Sequence, residues 1–172
     1  MAADITSTKH LTWDDIAEQT ERIARTLLRA PLPQTVVGVV RGGLVPAVIL
    51  AHRLGVRDVR ALEITHTVDD STNAAKTARP VTRNSASLGD VAELDILVVD
   101  DVAGTGETLA AAARLVEQAG AARVRSAVLV VNTANWSGDR PPDQTVTSIG
   151  ETVQCWVVFP WESAATRTGE RA

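Results

Sequence analysis

At 172 residues with 45% hydrophobic content, the chain has the size and apolar fraction of one globular domain, 1–172, with a substantial core. A formal charge of −4 excludes binding to nucleic acid through a broadly cationic face, and the single cysteine, Cys155, excludes an internal disulfide framework. No apolar run reaches the ~20 residues of a membrane helix, and the N-terminus lacks the apolar core of a secretion signal. The expectation is a soluble, cytoplasmic protein with no membrane partner.

In chain order, Asp14 and Asp15 open a stretch in which Ile16, Ile23, Leu27 and Leu28 recur near helical spacing, closed by Pro31 and Pro33. Thr35 to Val40, "TVVGVV", is a β-branched run of the kind buried on both faces of a parallel sheet. After Arg41-Gly42-Gly43, "LVPAVILAHRL" predicts a helix, and Val59 to Ile64 a second strand. From Thr65 to Glu93 the sequence is polar with few apolar anchors, which predicts a long mobile loop. Ile96 to Val99 reads as a strand, Thr105 to Gln118 as a helix closed by Gly120, and Val124 to Val131 as a strand. "NTANWSGDRPPD" is then a loop, Thr145 to Ile149 and Thr152 to Val158 are strands, and 163–172 is a polar tail.

Short strands alternating with helices imply an α/β fold with a doubly wound, mainly parallel sheet. Such sheets take ligands beyond the carboxyl ends of their strands, which directs attention to the loops at Arg41 and Asp100.

In "VVDDVAGTGET", Asp100 and Asp101 are expected where the strand ends, so that two ionised carboxylates accept hydrogen bonds at the sheet edge. The vicinal hydroxyls of a ribose are matching donors, and a magnesium ion on those hydroxyls would favour the same charge. Gly104 and Gly106 let the backbone turn with its N–H groups inward, while Thr105 and Thr108 add hydroxyls at a helix N-terminus, an anion site. The pattern describes a sugar bearing a phosphate. Glu107, close to that phosphate, is expected to point outward and complement the helix dipole. The plainer reading is a glycine turn capped by threonine with solvated aspartates. A Walker loop needs Gly-Lys-Ser/Thr, but Lys9 and Lys76 are the only lysines; a dinucleotide fingerprint needs a third glycine where Leu109 stands.

The strand, acidic pair and Thr/Gly loop resemble the type I phosphoribosyltransferases. "TWDDI", "VVRGGLVPAVILAHRLGVRDV" and "CWVVFPWE" are similar to segments of the xanthine-guanine enzymes of that family, so the resemblance covers most of residues 10 to 162. It implies phosphoribosyl pyrophosphate (PRPP) held by Asp100, Asp101 and the segment Val102, Ala103, Gly104, Thr105, Gly106 and Thr108. The leaving pyrophosphate would lie against Arg41, Gly42 and Gly43, with a cis peptide before Arg41. It implies a lid over about 65–93, in which His66-Thr67 stand where the family has Ser-Tyr; His66 is a candidate pyrophosphate contact or a plain surface histidine. It implies a hood from about 5–13 and 132–162, in which Trp156 stacks on a purine and Val157 meets its edge through main-chain groups; core filler is the alternative for Trp156. It also implies Mg2+ at Asp101, with a second acting near Glu162, and a homodimer or homotetramer.

Two departures bear on the base. The 6-oxopurine enzymes usually carry Asp facing N7 where this chain has Gly104, and a lysine facing O6 where it has Asn132 or Ala134, depending on a gap. An amide donates to a carbonyl without the charge. These losses open space beside the five-membered ring and suggest a purine-like base such as a 7-deazapurine; ordinary guanine, xanthine or hypoxanthine salvage is the alternative. A non-catalytic PRPP-sensing regulator is the rival of another class, disfavoured because about a dozen residues precede "TWDDI", too few for a DNA-binding module.

Overall fold

The computed structural model describes residues 7–67 and 76–162. Its main sheet has six strands in the order β4-β3-β2-β5-β6-β7: β2 is Thr35–Val40, β3 Asp58–Thr67, β4 Lys76–Asn84, β5 Asp95–Ala103, β6 Arg123–Asn132 and β7 Ser148–Val153. All neighbours are parallel except β3 and β4. Parallel strands need crossovers: α2 (Leu44–Leu54) lies between β2 and β3, α3 (Glu107–Gln118) between β5 and β6, and a short helix α4 (Pro142–Thr145) between β6 and β7.

The helices divide between the two faces. α1 (Trp13–Leu27) and α2 cover one, burying Ile16, Ile23, Leu27 and Leu50 against Val36, Leu97, Val99 and Leu129. α3 covers the other, burying Leu109, Ala112 and Val116 against Val37, Val39, Ile96, Val98 and Val128. Consecutive strand residues such as Leu97 and Val98 are therefore both buried, on opposite faces. Each such side chain contributes about 1.5–3 kcal/mol, so the continuous β-branched runs carry the fold. α1 starts on a capping box: Asp15 N–H donates to the Thr12 hydroxyl (3.2 Å), and Thr12 N–H donates to Asp15 Oδ2 (2.7 Å).

A second, two-stranded sheet stands apart. β1 (Thr8–His10) pairs in parallel with β8 (Trp156–Val158), setting Lys9 opposite Val157. An ion pair of Lys9 with Glu151 of β7 ties it to the body, and Gln19 Nε2 of α1 donates to the same carboxylate at 2.8 Å. Phe159 stacks on Trp161 at 4.7 Å, and Trp13 meets Trp161 in a tilted contact at 5.8 Å.

Several expected boundaries differ. The segment expected as a loop over 65–93 holds the end of β3, all of β4, and a 3-10 turn at Ala86–Leu88 that buries Leu88. Residues 68–75 lie outside the described residues, as does the tail 163–172. β5 continues past Val99 to Ala103 because β6 pairs with it throughout, Asp100 opposite Val128 and Val102 opposite Val130. The break between the last two strands falls at Gln154-Cys155, two residues before Val157, rather than at Gly150-Glu151.

Candidate functional site

The carboxyl ends of β2 and β5, neighbours in the sheet, bring the two glycine-bearing loops into contact. β2 ends at Val40, the Val40–Arg41 peptide is cis, and Gly43 is the N-cap of α2. The fit between the loops is read from the glycines. A Cβ built on Gly42 would fall 1.7 Å from Oδ2 of Asp101, and one on Gly43 would fall 2.6 Å from the carbonyl oxygen of Val39 and 2.7 Å from that of Val99. Only residues without side chains let the Arg41 loop lie so close to the acidic pair.

Asp100 and Asp101 lie within β5, not beyond its end, so they alternate across the strand. Asp100 is buried; its Oδ1 accepts from Asp101 N–H at 3.0 Å, and Asp101 Oδ1 accepts from Val102 N–H at 2.8 Å. Burial raises the Asp100 carboxyl well above the ordinary range, and the charge of Asp101 adds to this. Burial likewise raises Asp101 to about 6, despite the bond from Val102, and Glu162 contributes through its charge. The site is therefore an acidic concavity in which negative charge is costly without a hydroxyl donor or a cation.

Glu162, in the turn after β8, acts on this region. Its Oε2 accepts from Phe159 N–H at 2.8 Å, which fixes the turn after β8, and its charge acts on Asp101. Among the described residues no group of three or more His, Cys, Asp or Glu side chains forms a metal cage. A buried carboxylate with a second acidic group in reach is a hard-oxygen donor set that fits Mg2+ taking its remaining ligands from water and substrate.

After Val102, which is exposed, Ala103 turns its side chain into the α3-side core, leaving its main chain to the loop. Gly106 has φ +82° and is the N-cap of α3, which therefore starts at Glu107, two residues later than the apolar periodicity suggested. Glu107 is exposed, and its Oε2 accepts from the Thr105 hydroxyl at 3.2 Å. Thr108 is half-buried in the first turn. The N–H groups of that turn point out of the helix end.

In the two-stranded sheet, Trp156 N–H donates to the Ser7 carbonyl at 3.3 Å and the Val158 carbonyl accepts from Leu11 N–H at 2.9 Å. Both residues thus bond toward β1, which turns the main-chain groups of Val157 to the opposite edge of β8. The Trp156 side chain is half-buried, while Val157 is buried.

Asn132 is held within the chain: its Nδ2 donates to the Cys155 carbonyl at 3.0 Å and its Oδ1 accepts from Ala134 N–H at 3.1 Å, so the carboxamide clamps the end of β6 to the turn before β8. Ala134 offers no polar side chain. His66 and Thr67 lie on β3, with side chains outside the described residues.

One contact was missed in the sequence. Trp136 lays its ring on Gly106, where a Cβ would fall 2.7 Å from the ring carbons. A lone bulky apolar residue in the polar run "NTANWSGDRPPD" was the available signal, since such a side chain usually buries against something.

Residues 10–165 match the family described as the phosphoribosyl transferase domain. Xanthine-guanine phosphoribosyltransferase of Gluconobacter oxydans is 29% identical over 157 residues, covering 90% of this chain and 84% of that protein. The enzyme of the same name from Idiomarina loihiensis is 28% identical over 155 residues, covering 88% and 85%. The crystal structure of a purine phosphoribosyltransferase from Pyrococcus horikoshii superposes with a TM-score of 0.73 at 28% identity, covering 91% of this chain and 94% of that one. With nine-tenths of the chain matched and the acidic pair, glycine turn and Arg-Gly-Gly loop gathered at one sheet edge, the chain belongs to the phosphoribosyltransferase family.

Proposed function

We propose that this chain joins a purine-like base to C1 of PRPP, giving a nucleoside 5′-monophosphate and pyrophosphate. The observation that carries the reading is the meeting of two loops at one sheet edge: the Gly42–Gly43 backbone lies against Asp101 and Asp100, and the Gly104–Gly106 turn follows that acidic pair directly. In this reading Asp100 and Asp101 accept from the ribose hydroxyls, and the turn with Thr105 and Thr108 takes the 5′-phosphate. Arg41 and the amides of Gly42 and Gly43 take the pyrophosphate. A ring nitrogen of the base attacks C1, the C1–O bond to pyrophosphate breaks with inversion, and the nitrogen's proton leaves to solvent. Positive charge growing on the sugar faces the two carboxylates, and negative charge growing on the leaving group faces Arg41. Mg2+, held near Asp101 and Glu162, would supply further neutralisation of the pyrophosphate. Holding the sugar and base in line supplies much of the remaining rate.

For the base, Trp156 offers a flat face and Val157 a free-edge main chain. Gly104 is not dictated by packing: a Cβ there would meet nothing nearer than Asn135 Cβ at 3.9 Å. The chain thus has room for the aspartate of the 6-oxopurine enzymes and lacks it, which favours a base without ordinary N7 chemistry, such as a 7-deazapurine. The names of the relatives favour ordinary guanine or xanthine instead.

Pyrophosphate release with PRPP, Mg2+ and a panel of bases separates these. The expected result is highest kcat/KM on a 7-deazapurine; efficient use of guanine, xanthine or hypoxanthine alone would reject it in favour of ordinary salvage. The variant Gly104→Asp, for which there is space, is expected to shift kcat/KM toward hypoxanthine or guanine by about tenfold or more, as a proton acceptor is restored at N7. An unchanged ratio would remove Gly104 from the specificity argument.

A further inference from the structure

We propose that Trp136 is a positioning residue that fixes the 5′-phosphate turn; this rests on the reading of Gly104–Thr108 as the phosphate cradle.

The root of the loop that carries Trp136 is rigid. Asn132 bonds the Cys155 carbonyl and Ala134 N–H, and Thr133 donates to the Val153 carbonyl from both its N–H (2.8 Å) and its hydroxyl (3.0 Å). From this root the indole crosses to α3. Cβ atoms built on Gly106 would fall 2.7 Å from its Cη2 and Cζ3, and on Gly138 3.0–3.1 Å from Nε1, Cε2 and Cζ2. The ring is wedged between two glycine backbones, one in the phosphate turn and one in its own loop. Nε1 donates to the Arg140 carbonyl at 2.8 Å, which fixes the ring's rotation, and the ring packs against the α3-side core.

Gly106, with φ +82°, is where the chain turns from β5 into α3. The orientation of the peptides around it decides where the first N–H groups of the helix point. A glycine in a loop has many accessible conformations, and an indole against its Cα removes those that swing the peptide outward. Donors that are fixed before the ligand arrives bind a phosphate without first being ordered. The atoms nearest Gly42 and Gly43 belong to Asp101, Val39, Val99 and Asp100 rather than to Trp136, so the effect falls on ligands with a 5′-phosphate.

The test is calorimetric titration of the full chain with ribose 5-phosphate and, separately, with pyrophosphate and Mg2+. Trp136→Ala is expected to weaken ribose 5-phosphate by about tenfold or more and pyrophosphate by less than about twofold, with Trp136→Phe intermediate. The KM for PRPP should rise while that for the base stays within about twofold. Gly106→Ala puts a methyl group where the ring lies, so it should cost less in the Trp136→Ala background than in the wild type. Equal weakening of both ligands, no weakening of either, or the same cost of Gly106→Ala in both backgrounds would overturn the proposal. Trp136→Phe keeps a ring in the wedge and reports even if the alanine variant folds poorly. A wild type that binds neither ligand would bring down the functional reading itself, and this proposal with it.

Discussion

Replacing Asp100 and Asp101 together by asparagine is expected to lower turnover by roughly a hundred- to a thousandfold while making the ligand-free fold more stable at neutral pH. Both parts come from one cause. The pair is desolvated, and burial raises both carboxyls, Asp101 from an ordinary 3.8 to about 6. A carboxyl whose folded pKa exceeds its unfolded one binds its proton more tightly when folded. For Asp101, native-state stability is therefore greatest below the unfolded value, declines as pH rises between about 4 and 6, and stays reduced above that. For Asp101 the shift corresponds to at most about 3 kcal/mol, less to the extent that its partial exposure lets solvent screen it. Asparagine keeps an Oδ1 to accept from Asp101 N–H and Val102 N–H, so the substitution removes charge and little else. Thermal denaturation from pH 4 to 8 should show the variant's advantage over wild type growing with pH. A variant no more stable than wild type at pH 7.5 would mean that the pair is not desolvated. Adding PRPP with Mg2+ should reverse the order, since only the wild type gains stability by binding.

The parts of the fold legible in the sequence were those in which one physical signal acted alone. β2 falls on Thr35–Val40 and α2 on Leu44–Leu54, as expected, because a continuous apolar run and a helical run are separated by Arg-Gly-Gly. β4 was not legible: "KTARPVTRN" has no clear alternation and contains Pro80, which an edge strand tolerates and an isolated reading penalises. Only antiparallel pairing with β3 makes it a strand. The extension of β5 through two aspartates is likewise a tertiary effect, with β6 supplying the partners that β-propensity would deny. In the site, the acidic pair and glycine turn were readable because backbone conformation and charge there are written in residue types. The internal bonding of Asn132 and the wedge of Trp136 were not, because each depends on which groups long-range packing brings alongside.

Neighbouring glycines of the Arg41 loop should respond oppositely to alanine. At Gly42 the atoms in the way belong to the Asp101 carboxylate, with Oδ2 at 1.7 Å and Cγ at 2.5 Å from the new Cβ. A side chain can turn aside, so Gly42→Ala should fold with a melting temperature within about 3 °C of wild type, a difference of about 1 kcal/mol or less. Its turnover should nevertheless fall by about a hundredfold, because the carboxylate that is to face the ribose has been pushed away. At Gly43 the obstacles are all backbone: the Val39 carbonyl oxygen at 2.6 Å, the Val99 carbonyl oxygen at 2.7 Å and Asp100 Cα at 2.8 Å. These belong to the adjacent central strands β2 and β5, which cannot part without breaking their pairing. Gly43→Ala should therefore cost about 3 kcal/mol or more and lower the melting temperature by roughly 6–12 °C. Comparing melting curves and turnover for the two purified variants tests the site's geometry directly. If Gly42→Ala kept full activity, the carboxylate would not need its place above the loop, and the role argued for Asp101 would fall. If Gly43→Ala melted with the wild type, the close approach of α2's N-terminus to the ends of the two strands would be wrong, and with it the platform on which the pyrophosphate loop is proposed to act.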